Sequence, residues 1–402
     1  MNRLSLVLRY LQHRALATSL TIITFAAGIA VIVALVLINT QVQADFDRNL
    51  KGIDLVVSGK GSPLQIILST MFHIDTPTGN IPIQEAQALE QNPMVAHAIP
   101  MALGDNYNGF RIVGTNADYV AHYHGEIAQG RFYTQQMEAV LGSDVAAHYP
   151  HAIGDKIIGA HGLVNSDDLH TDFPYTIVGI LKPTGSVLDR LVLTPVESVW
   201  HVHEHPDADD PEEVAYKHEH PENELTALLI QYRSPLAVAQ LPRMINKNSA
   251  MQAAVPAFEV ARLSGFMGVG ADTLRVFGFF LMGLAGASIF AALYQAMDER
   301  RYDLALMRSF GASPGKLAGM VLLESLLVAS IGVVLGLLVG HGLVELAARW
   351  LSAHKHITIS GGYVVVEEAY LLAAALVIAA LAALIPALRV YRIDIFRTLA
   401  RG

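Results

Sequence analysis

Four long stretches almost free of charge constrain this chain more than any other feature. Ala15 to Ala44 holds no Asp, Glu, Lys or Arg, and its apolar core runs from Ala15 to Ile38. Val276 to Met297 and Ala369 to Leu388 are also uncharged, and Leu317 to Val344 holds one acid, Glu324. Each reaches or exceeds the roughly 20 residues that cross about 30 Å of hydrocarbon as a helix. Membrane spans are therefore expected at residues 15–38, 276–297, 317–344 and 369–390. Cleavage after Val42-Gln43-Ala44 would make the first stretch a secretory leader. Its apolar core exceeds the roughly 7–15 residues of a leader, and three further spans follow, so it reads as a retained anchor.

Charge orders the remainder. The segments 1–14, 298–316 and 391–402, with Arg389 at their edge, hold 11 basic residues against four acids. Thr40 to Asp272 holds 13 basic and 28 acidic residues. The positive-inside rule puts the basic segments, and with them both termini, in the cytoplasm. The acidic segment 39–272 and the short loop 345–368 are then outside. A net charge of −9 argues against nucleic acid as a partner. With no cysteine, thiol catalysis, disulfides and Cys-ligated metals are excluded.

Within 39–272, β-like and helical patterns alternate. Phe110 to Val113, Tyr175 to Leu181 and Leu191 to Leu193 read as strands. Ile83 to Gln91 and Leu236 to Asn246 show helical spacing, the latter interrupted by Pro242. The expected fold is four transmembrane α-helices with a large α/β extracytoplasmic domain between helices 1 and 2. Phe258 to Leu274 reads as a stalk that continues into the second span.

The cytoplasmic segment from Met297 to Ser313 alternates charges with Leu304, Met307 and Phe310, the pattern of an amphipathic helix at the membrane surface. Its residue order resembles the coupling segment of the FtsX/MacB/LolC-E family of ABC-transporter permeases. The matching residues are Glu299-Arg300, Asp303, Ala305, Arg308 and Gly311-Ala312, with Arg301 and Ser313 in the same segment. Asp303 stands where the family usually has Glu. Glu324 also falls where that family carries an acid. Pro386 to Arg397 resembles its closing motif, with Ile395 in place of Pro. Gly130-Arg131, Glu138 to Gly142, Val145-Ala146, Ile153 to Lys156 and Tyr175 to Leu181 resemble a MacB-type periplasmic core. The resemblance implies a bacterial inner-membrane permease subunit driven by a separate cytoplasmic ATPase, which would bind the ATP and Mg. It also implies a second permease copy as partner and, for some members, a periplasmic adaptor and an outer-membrane channel. Gly311 to Leu317 has the wrong spacing for a phosphate loop and lacks Ser or Thr after Lys316, so this chain has no nucleotide site of that type.

Two small-residue faces lie in the spans: Gly332, Gly336 and Gly340 in the third, and Gly283, Ala287 and Ala291 in the second. Such faces let helix backbones approach, either within one subunit or across a dimer. Glu324 lies near enough the cytoplasmic face to pair with a basic residue of the coupling loop.

The loop 201–224 is rich in acids and histidine. His201, His203, His205, His218 and His220, with carboxylates between them, offer the nitrogen and oxygen donors that zinc prefers. The alternative is a solubilising loop whose histidines respond only to pH. No HExxH is present, so a zinc protease is not supported.

The expected function is therefore mechanical: a permease subunit converting ATP hydrolysis by its partner into movement of a periplasmic domain, for export or extraction of a substrate. The competing reading is an FtsX-like signalling subunit that controls a periplasmic partner such as a cell-wall hydrolase. A membrane-bound enzyme or metal sensor rests on the histidine loop alone.

Overall fold

The computed structural model describes residues 3–162, 169–203, 223–355, 359–392 and 395. They form two units, a helical one from residues 1–43 and 266–402 and a mixed α/β one from residues 44–265.

In the helical unit, four helices among the described residues are long and apolar enough to cross a membrane: Ala15–Leu50, Asp272–Glu299 within the longer helix Pro256–Glu299, Pro314–Trp350 and Glu367–Arg392. The stalk and second span are one continuous helix, and Gly265, Gly268 and Gly270 lie inside it with open space around them. Phe25, Ile29, Val33 and Leu37 of the first span pack into one cluster with Met282, Ala285 and Ile289 of the second. Ala329 and Val333 of the third span and Ala375, Ala379 and Ala383 of the fourth complete that cluster. Small residues at spacing of four let the fourth helix approach closely, and Ser325 donates a 2.6 Å hydrogen bond to the Ala379 carbonyl.

The described residues of the α/β unit form 13 strands: β1 Leu55–Gly59, β2 Ile81–Pro82, β3 Val95–Tyr107, β4 Phe110–Gly114, β5 Ile127–Gly130, β6 Glu138–Leu141, β7 Lys156–Ile157, β8 Ala160–His161, β9 Tyr175–Leu181, β10 Leu191–Thr194, β11 Glu224–Leu225, β12 Ala227–Tyr232 and β13 Met251–Ala254. Nine of them run in the order β13-β1-β12-β3-β4-β10-β6-β9-β5, with β7 on β9 and β8 on β3. Strand β3 is long enough to serve two neighbourhoods. Its first half pairs antiparallel with β12 through Ala98 to Met101, and its second half pairs with β4 and β8.

Burial explains why these segments are strands. Successive side chains of a strand point to opposite faces. Leu55 and Val57 of β1 enter one core and Val56 the opposite one. Leu191 and Leu193 of β10 likewise face one core and Val192 the other. Both faces of the sheet are therefore covered. Helix Pro235–Asn248 contributes Leu241 and Ile245 to one of these layers, and Pro242 sits inside it without ending it.

Candidate functional site

The segment after the second span folds as a short helix, Arg301–Ser309, followed at once by the third-span helix from Pro314. The Gly-Ala-Ser sequence between them has a structural reason. Gly311 adopts φ +91°, the left-handed conformation that closes helices, and its amide donates to the Arg308 carbonyl at 3.0 Å. Ser313 Oγ then accepts from the Lys316 amide at 3.4 Å, and Pro314 takes the first helical position.

This helix is two-faced. Leu304 and Ala305 are buried, whereas Arg301, Tyr302, Asp303, Leu306, Ser309 and Phe310 are exposed, Phe310 at 83%. Arg308 and Ala312 are half-buried. The charges of the coupling segment divide in the same way. Arg300 turns inward: its guanidinium lies 3.2 Å from Glu324 Oε2 and 3.7 Å from the centroid of the Tyr10 ring. Glu299 pairs with Arg14, whose guanidinium also donates to the Ala292 carbonyl at 3.0 Å. Arg301 remains outward, with Asp298, one turn back, at 3.4 Å. Arg300, at the N-cap of the short helix, thus ties its start to Glu324 of the third span, while Arg301, Tyr302 and Phe310 stay exposed.

At the other end of the chain, Arg389 stacks on Tyr294 at 3.6 Å and lies 3.8 Å from Asp298. The end of the fourth-span helix is thereby fastened to the same end of the second span.

Comparison with known proteins decides the family. A MacB-like periplasmic core domain matches residues 18–247, and an FtsX-like permease C-terminal domain matches residues 275–395. The chain belongs to the FtsX/MacB-like ABC permeases.

Solved structures similar to this permease include the periplasmic region of MacB from Actinobacillus actinomycetemcomitans, at 10% identity and TM-score 0.34, covering 54% of this chain and 95% of that one. They also include the extracellular domain of the noncanonic ABC-type transporter YknZ from Gram-positive bacteria, at 15% identity and TM-score 0.29, covering 50% of this chain and 98% of that one. No curated protein sequence matches. The family is that of ABC permease subunits, multi-pass proteins of the inner membrane that work with a cytoplasmic ABC ATPase.

Several motif residues of the permease's α/β unit are fixed by close approach. Gly130 has φ +75°, and a Cβ there would lie 2.1 Å from the Val178 carbonyl oxygen. A Cβ on Gly142 would lie 2.2 Å from the Leu188 oxygen. Arg131 grips Glu138 with two guanidinium nitrogens, Nη1 to Oε2 at 2.8 Å. This hydrogen bonding outweighs burial and, with the Thr134 and Gln135 amides, holds the Glu138 carboxyl down at about 2.

The two small-residue faces have different fates. Gly332, Gly336 and Gly340 receive Phe25, Ile29 and Val33 of the first span, so this stripe packs within the subunit. Gly283 has open space around it, and Ala287 and Ala291 are exposed, leaving the second-span face uncovered among the described residues. A further close approach, Gly28 on Gly278, joins the first two spans. It escaped the sequence because single glycines in a span carry no spacing signal.

The histidine loop is redistributed as well. His205, His218 and His220 lie outside the described residues. His201 sits edge-on to the Phe173 ring at 5.2 Å. Of the two members among the described residues, His203 is brought to other metal-ligand types, and these are Asp105, His161 and His170.

Proposed function

We propose that this permease passes the work of a separate cytoplasmic ATPase to its α/β domain, which then moves to export or extract a periplasmic or membrane substrate. The observation carrying this reading is the two-faced helix Arg301–Ser309. Its inner face is locked by Leu304, Ala305 and the neighbouring Arg300–Glu324 pair, while Arg301, Tyr302 and Phe310 stand outward. A docking helix needs this division, because a displacement imposed on its outer face reaches the spans only if the inner face does not slip.

Charge supports the topology: the basic edges of the spans lie in the cytoplasm, with both termini, and the acidic α/β domain in the periplasm. The first span helix runs from Ala15 to Leu50 and the second from Pro256 to Glu299, so each extends well beyond its apolar stretch towards the domain. A MacB-like domain of this size supports transport over a purely signalling role. The uncovered face of Gly283, Ala287 and Ala291 suits a second permease copy. In an assembly of the tripartite type, a periplasmic adaptor and an outer-membrane channel would complete the path.

Co-purification with the cognate ATPase tests the reading. Arg301→Glu combined with Phe310→Ala is expected to abolish recovery of the ATPase while the permease keeps its thermal stability. Unchanged recovery would overturn it. Mass spectrometry of the wild-type complex then separates transport from signalling, by a bound cargo in the first case and a bound hydrolase in the second.

A further inference from the structure

We infer that the α/β domain binds one divalent transition-metal ion, of the zinc class, through Asp105, His161, His170 and His203. The four residues arrive from different elements. Asp105 lies on β3, His161 on β8 directly opposite it, His170 on the segment entering β9, and His203 at the end of helix Val196–His203. One donor atom from each lies within 4.8 Å of all the others.

The local backbone is arranged around this meeting point. Between Leu103 and Asn106 the register of β3 against β4 slips, so Gly104 and Asp105 form a bulge. A bulge re-aims a side chain that a regular strand would place elsewhere. Gly104 also makes room, since a Cβ at that position would stand 3.2 Å from His203 Nε2. His170 is fixed by its own amide, which donates to the Gly159 carbonyl at 2.9 Å.

The distances are those of a coordination shell. His170 Nε2, His203 Nε2 and His161 Nδ1 lie 3.3, 3.4 and 3.8 Å from Asp105 Oδ1. Ligands at about 2.0–2.1 Å from a tetrahedral zinc lie about 3.3 Å from one another. The three imidazole rings do not stack. Their centroids are 5.4 to 5.9 Å apart and their planes cross at 75° to 84°, as in rings that point at one centre.

The carboxylate supplies the independent reason to place a cation here. Asp105 is 1% exposed, and neither of its oxygens accepts a hydrogen bond of proper geometry among the described residues. A buried carboxylate in that state is costly unless a cation faces it. Three nitrogens and one oxygen form a donor set suited to zinc and its neighbours and unsuited to magnesium or calcium, which prefer oxygen throughout.

The test uses the full-length permease in nanodiscs, purified without a histidine tag, stripped with chelator and titrated with zinc. A background of His205→Ala, His218→Ala and His220→Ala keeps those three imidazoles from contributing. One zinc per chain is expected in that background, and cobalt in its place should give the intense visible bands of tetrahedral coordination. Asp105→Asn and His170→Ala should weaken zinc by more than the roughly 10–100-fold that a merely supporting residue costs. His161→Ala, at a half-exposed side chain where folding is not at stake, should do the same. Unchanged affinity in His161→Ala, or loss of all zinc in the triple-alanine background alone, would overturn the inference.

Discussion

Arg300 and Arg301 are neighbours in sequence and opposites in role. Arg300 and Glu324 are 16% and 11% exposed, so removing one partner strands a charge in a region of low polarity. Arg300→Met should cost about 3–5 kcal/mol in thermal unfolding, whereas Arg300→Met with Glu324→Gln should recover part of it. Arg301→Glu should leave stability nearly unchanged and be felt only by the ATPase. Glu138 gives the corresponding expectation for pH. Its carboxyl is lowered from about 4.5 to about 2, so the stability it adds is full above about 4.5 and is lost as pH falls through about 2. Unfolding of wild type and Glu138→Gln followed across that window should therefore converge at the acid end. The basic residues of the coupling segment were legible in the sequence, but which of two adjacent arginines faces the bundle was not. That depends on helix phase, and the break at Arg300 between two helices resets it.

Among elements, the spans were legible because each is one contiguous apolar run, and no distant residue is needed to define it. Their partners were not legible, since a glycine stripe says that something approaches without saying what. A Cβ at position 336 would lie 2.7 Å from Ile29 Cβ and 2.8 Å from the Ala26 carbonyl oxygen. Gly336→Ile should therefore destabilise the subunit by about 1–3 kcal/mol in detergent, as overpacking does. Gly283→Ile should change it by no more than about 0.5 kcal/mol, the usual scale for an open surface. A matching loss at both positions would show that the second-span face is covered within the subunit. The metal-ligand set shows the limit of reading by proximity. Five histidines close in sequence attracted attention, while Asp105, His161, His170 and His203 converge only because β3 pairs with β8 and bulges beside it.

For the whole molecule, the telling connection is between the membrane helices and the sheet. The first span helix ends at Leu50 and β1 begins at Leu55, while β13 ends at Ala254 and the second span helix begins at Pro256. Strands β1 and β13 are antiparallel neighbours, with Val56 opposite Ala254 and Gly59 opposite Met251. The natural chain has no cysteine, so a pair introduced at Val56 and Ala254 reports on these strands alone. Directly opposed residues of an antiparallel pair lie about 4.5–5.5 Å apart, within reach of a disulfide. The oxidised Val56→Cys, Ala254→Cys variant should retain full ATPase stimulation, and a loss on oxidation that reductant restores would show that the two strands part during the cycle.

Because β1 and β13 run in opposite directions, both helices leave the pair at the same end. Force that spreads the helices would open the strands like a zipper, breaking one rung at a time from that end. Any load that parts the two chain ends therefore falls first on the Val56–Ala254 rung, and separation of the strands would begin there.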